Sequence, residues 1–125
     1  MTDRESEEFS DYVDMETVSE AVEAFGKKEY RSFTMNALRQ LKSDLGFLWV
    51  DNVDWSEAEV WEKLHRCLGA SSVMGAWRLS ALLSKTENRR KSGGYNPTPD
   101  EVRAIRDLFS RTEAVYRQLL SSDNL

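Results

Sequence analysis

The chain has 125 residues and 14.4 kDa, with 17 basic and 22 acidic side chains, one His, one Cys, 2 Pro and 6 Gly. That length supports one hydrophobic core, and 40% apolar with 31% charged residues is ordinary globular usage, which argues against wholesale disorder and against a membrane-embedded chain. One His and one Cys cannot supply the four ligands of a structural zinc site or any disulfide, and a net charge of −5 argues against nucleic-acid binding, which calls for a basic face.

Residues 1–13 read as an acidic, flexible tail: Met1–Ser10 (MTDRESEEFS) is charged where a signal peptide would be basic and then apolar. No apolar run approaches the roughly 20 residues that span a bilayer. The expected setting is the cytosol, with a reduced thiol at Cys67 and another protein as partner.

Residues 14–121 read as one all-α domain, followed by a short C-terminal tail at 122–125. Helical spacing runs through it and strand alternation is nearly absent. The first helix is expected over Asp14–Phe25, with Val18, Ala21, Val22 and Phe25 on one face and Gly26 as its stop. The second, Lys27 to about Val50, sets Tyr30, Phe33, Ala37, Leu38, Leu41, Leu45 and Leu48 three and four apart, a rod of roughly 35 Å.

Two overlapping capping boxes, Asp54-x-x-Glu57 and Ser56-x-x-Glu59, start a third helix near Trp55. It carries Val60, Trp61, Leu64, Cys67, Leu68 and Ser71, and it falters around Ser72 to Gly75. A fourth helix follows from Ala76 to about Arg90, with Leu79, Leu82, Leu83 and Thr86 inward and the basic Arg89-Arg90-Lys91 at its negative end. After the loop Ser92–Pro97, Thr98-Pro99-Asp100-Glu101 opens the last helix, which lines up Val102, Ile105, Leu108, Phe109, Thr112, Val115, Tyr116 and Leu119. Four amphipathic helices with short connections predict an antiparallel up-down four-helix bundle with a short extra N-terminal helix.

His65 lies about 100° from the centre of the third helix's apolar stripe, at the rim of the core. A rim histidine reads first as an amphipathic residue hydrogen-bonded to a neighbouring element. It is also a fit nucleophile, because a neutral imidazole nitrogen can accept a phosphoryl group covalently. Gly69, one turn further on, costs roughly 1 kcal/mol of helix propensity and leaves the ring uncovered on one side. Cys67 points about 160° away from His65, so a Cys-His nucleophilic pair is not expected. Trp49, Trp55, Trp61 and Trp77 read mainly as packing residues, with Trp61 on the His65 face. No phosphate-binding glycine loop is present in the sequence, so ATP binding is not expected.

The string His65-Arg66-Cys67-Leu68-Gly69-Ala70-Ser71-Ser72-Val73-Met74-Gly75-Ala76 resembles the signature of histidine-containing phosphotransfer domains. In that family the phospho-accepting His is followed by Gly at the fourth position, by small residues, and by an aliphatic-Gly-Ala that opens the next helix. Trp77 to Glu87 (WRLSALLSKTE) is similar to that next helix, with its Leu-rich run and closing Glu. A weaker likeness covers most of residues 17–120.

The resemblance implies a phosphorelay protein in which His65 takes a phosphoryl group from an aspartate on one receiver domain and passes it to another. It implies no cofactor on this chain, Mg²⁺ on the partner receiver, and a cytoplasmic monomer. Gly69 and Ser72 would keep the histidine accessible, Leu64 and Leu68 would anchor its helix, and Ala58, Trp61, Glu62 and Gly69, with part of the second helix, would form the docking strip. The family usually has Lys three residues after the histidine, where this chain has Leu68. At about 4 Å that cation is worth roughly 1–4 kcal/mol per unit of phosphate charge, so its loss disfavours phosphohistidine unless another cation serves. Arg66 and Lys63 are the nearest in sequence. The alternative is a domain of the same shape that binds receivers or kinases as an adaptor without being phosphorylated.

Overall fold

The computed structural model describes residues 8–46, 56–93, 96–121 and 125, and among these there are helices and no strands. After a helical turn at 8–10 come α1 (Met15–Phe25), α2 (Lys27–Gly46), α3 (Glu57–Met74), α4 (Trp77–Gly93) and α5 (Pro99–Ser121). Each helix packs on the next in sequence, and α5 returns to α2. No helix among the described residues is long and apolar enough to cross a membrane.

The helix ends follow local chemistry. Asp14 caps α1, its Oδ1 accepting from the backbone N–H of Glu16 at 3.1 Å and of Thr17 at 3.4 Å. Ser56 caps α3 by accepting from the Glu59 N–H at 3.2 Å. The other expected box, from Asp54, lies outside the described residues, as does the expected continuation of the second helix to Val50. At α5 the capping box is reciprocal: Thr98 Oγ1 accepts from the Glu101 N–H, and Glu101 accepts from the Thr98 N–H. Gly75 ends α3 at φ 85°, and an added Cβ would lie 3.1 Å from Thr17 Cβ and 3.3 Å from the Asp14 carbonyl oxygen. Both its backbone angle and this close approach call for glycine.

The core is built from the expected stripes. Leu38, Leu41 and Leu45 of α2, Val60, Leu64 and Cys67 of α3, Leu79 and Leu83 of α4, and Ile105, Phe109, Tyr116 and Leu119 of α5 are all buried. Ser71, Thr86 and Thr112 are buried with them, each donating its hydroxyl to a carbonyl three or four residues earlier, so none carries an unmet donor inward. Tyr116 donates its buried hydroxyl to the Met74 carbonyl at 2.9 Å, tying the end of α3 to α5.

Three expectations change. Phe9 and Val13, assigned to a flexible tail, are each 1% exposed, and Trp77 Nε1 donates to the Ser10 carbonyl. Burial of these two apolar side chains extends the folded unit toward the N-terminus. Leu125, from the expected C-terminal tail, also packs against the core. Finally, Phe25 and Phe33, read as inward-facing, are 71% and 53% exposed. On α2 the inward row is Tyr30, Thr34, Leu38, Leu41 and Leu45, which turns Phe33 about 100° away.

Candidate functional site

The outer face of α3 carries Ala58, Glu62, His65, Gly69, Ser72 and Val73, all exposed. The inner face carries Val60, Leu64, Cys67 and Ser71, so the helix presents its histidine outward because its apolar rows are committed to the core. The His65 side chain is 73% exposed, and its Nδ1 lies 3.1 Å from Oε1 and 3.3 Å from Oε2 of Glu87. Glu87 stands on α4 beside the buried Thr86, with its own side chain 17% exposed.

A carboxylate can only accept, so Nδ1 is the donor of this bond, and in the neutral ring the lone pair belongs to Nε2. The arrangement fixes ring orientation and tautomer together and leaves a nucleophilic nitrogen at the surface. Gly69 adds access: among the described residues, a Cβ built there meets nothing within 4 Å. Internal packing therefore does not call for glycine at this position.

Two expected site residues stand elsewhere. Trp61, assigned to an exposed strip, is 4% exposed. Its indole turns into the groove between α3 and α4, where the Arg90 guanidinium covers it 5.0 Å from the ring centroid. Large aromatic area gains more from this burial than from solvent, even though Nε1 has no hydrogen-bond partner among the described residues.

Arg66, considered as a cation for His65, is held on the other flank by Asp44 of α2, with Nε at 2.9 Å from Oδ2 and Nη2 at 2.7 Å from Oδ1. Burial works against ionising Asp44, but the hydrogen bonds from Arg66 and Gln40 and the charges of Arg66 and Lys63 outweigh it and hold the carboxyl below its ordinary range. Lys63 thus acts toward Asp44 as well. Leu68 is half-buried against the core and supplies no charge. Burial, reinforced by the Asp44 charge, pushes the Cys67 thiol up to about 12, so it stays protonated and unreactive.

Sequence reasoning noted Glu87 only as the end of a familiar string, and it missed Asp44 altogether. Their partners lie 22 residues away on adjacent helices, a relation that no periodicity within one helix carries. Among the described residues, no group of three or more His, Cys, Asp or Glu is gathered to hold a metal ion. No protein-family model, curated protein or solved structure matches the chain.

Proposed function

We propose that this protein is a phosphoryl carrier of the histidine phosphotransfer type, passing a phosphoryl group between receiver-domain aspartates through Nε2 of His65. The observation that carries the reading is the exposed imidazole whose Nδ1 is engaged by Glu87. In this reading α2 to α5 form an antiparallel four-helix bundle and α1 is the short extra helix. The protein works as a cytoplasmic monomer, with no nucleic-acid partner.

The chemistry asks little of the chain. Nε2 attacks the phosphorus of an aspartyl phosphate in line, the Nε2–P bond forms, the acyl P–O bond breaks, and the carboxylate leaves with its electron pair. The proton stays on Nδ1, and the positive charge that develops on the ring is balanced by Glu87. The receiver supplies the acidic pocket and Mg²⁺, so catalysis is mostly positioning. Ala58, Glu62, Gly69 and Ser72 form the contact strip beside His65, and Gly69 lets the receiver approach the ring. Such an encounter needs only a transient interface.

The test is label transfer from a phosphorylated receiver domain to the wild type and to His65→Gln. Acid-labile label on the wild type alone supports the carrier. Stable binding of the receiver with no transfer to either protein supports the adaptor, the reading favoured by Leu68 in place of lysine.

A further inference from the structure

We infer that the apolar groove between α1, α2 and the end of α3 seats an amphipathic helix of a partner protein, one with Lys or Arg flanking its apolar row. This goes beyond the reading of His65 as a phosphoryl carrier and does not depend on it.

The groove measures about 460 Å³ and is lined by Ala21 and Phe25 of α1, Glu29, Tyr30 and Phe33 of α2, and Val73 of α3. Phe25 and Phe33 are mostly exposed, and Val73 is 64% exposed, so large apolar side chains from three helices converge on one open surface. Scattered exposed apolar residues are ordinary, whereas two rings and a branched side chain gathered round one concavity mark a contact surface.

The occupant's chemistry follows from the walls and the rim. The walls are helices, whose backbone groups bond within themselves, so an extended segment laid there would find no ladder partners. A helix brings its own backbone hydrogen bonds and offers apolar side chains three and four residues apart. Glu29 is the charged member of the lining among the described residues. α1, which forms one wall, exposes Glu16, Glu20 and Glu23 and contains no Lys or Arg. Lys27 and Lys28 follow at the start of α2 but are turned about 120° and 140° from Phe33 around the helix axis. A rim of this sign attracts a basic flank. It repels a second copy, whose own α1 would bring the same glutamates on a chain of net charge −5, and it repels an anionic lipid surface.

His65 stays outside the groove. Val73 lies eight residues beyond it on α3, roughly 12 Å along the axis. A helix seated on Phe25 and Phe33 therefore holds a partner near the His65 face while the ring remains open.

The experiment uses the full chain and a fluorescently labelled synthetic helix of about 18 residues, five turns, with Leu in an i, i+3, i+4, i+7 row and Lys on both flanks. A twin peptide carries Glu in place of every Lys. Fluorescence anisotropy is expected to show saturable binding of the Lys peptide, about tenfold or more tighter than the twin. Phe33→Ser and Phe25→Ser change exposed side chains, so both proteins are expected to keep the wild-type circular dichroism and to bind the Lys peptide about tenfold more weakly. Glu20→Gln combined with Glu29→Gln is expected to weaken binding severalfold and to flatten its salt dependence. His65→Gln is expected to bind as the wild type does, so loss of receiver transfer and loss of docking are separate results. Absence of saturable binding overturns the inference, as does undiminished affinity in folded Phe33→Ser and Phe25→Ser, which would leave only charge attraction. Dimerisation in sedimentation equilibrium that Phe33→Ser abolishes would give the groove to a second copy, and binding to anionic lipid vesicles that the same change abolishes would give it to a membrane; either result overturns the inference.

Discussion

His65 and Glu87 meet across the α3–α4 groove with 3.1 Å between Nδ1 and Oε1, although one is largely exposed and the other mostly covered. The covered carboxylate is the fixed partner and the ring is the part that is positioned. Glu87→Gln keeps an oxygen acceptor for Nδ1 and loses the charge that balances the ring in the proposed carrier, whereas Glu87→Ala loses both. Transfer from a phosphorylated receiver is expected to fall a few-fold in the first and about tenfold or more in the second, read as initial rates of label uptake. Equal rates in wild type and Glu87→Ala would remove Glu87 from the site.

Gly69 gives an opposed pair of outcomes. Alanine fits sterically and favours the helix, so Gly69→Ala is expected to raise stability by about 0.5–1 kcal/mol in urea unfolding. In the proposed carrier the same methyl group would stand between His65 and the receiver, so receiver transfer is expected to slow while labelling by the small donor phosphoramidate is unchanged. Greater stability with undiminished transfer would leave the glycine without a functional reason.

The Asp44–Arg66 pair makes stability depend on pH in a stated direction. The folded-state carboxyl lies below its ordinary value, so its contribution is complete above about pH 4 and is lost as pH falls through the folded value. Arg66→Met leaves the Asp44 carboxylate without its paired cation and is expected to lower stability at neutral pH. With burial then dominant, Asp44 favours its neutral form, and the deficit is expected to narrow as the solution is acidified. Thermal unfolding of both proteins from pH 7 to pH 3 measures the difference.

Cys67 is expected to resist thiol reagents in the native state. Its side chain is 1% exposed and its thiol is pushed up to about 12, so the fraction present as thiolate at pH 8 is very small. Modification by a disulfide reagent should follow the opening of α3 and accelerate sharply in denaturant. Rapid labelling of the native protein would contradict the burial.

Several parts of this architecture were readable before any packing was known. Asp14, Ser56 and the Thr98–Glu101 pair announced helix starts because a cap needs only a short side chain and the next turn's free N–H groups. The stripe of α5 from Ile105 to Leu119 was legible because it is continuous and strongly one-sided. Phe33 and Trp61 were misplaced in opposite directions for one reason. Hydrophobicity says that a ring gains from burial, but the groove available to it belongs to a neighbouring helix.

By itself, the sequence determined an all-helical chain, the ends of most of its helices and the position of its single histidine at the rim of an apolar face. Each of these rests on interactions within one or two turns. The tertiary structure alone decided that Glu87 engages the ring, that Asp44 draws Arg66 away, and that Trp61 is buried beneath Arg90. Those relations depend on how two helix faces are laddered side by side, and rotation or sliding of one helix by a single turn would exchange every partner.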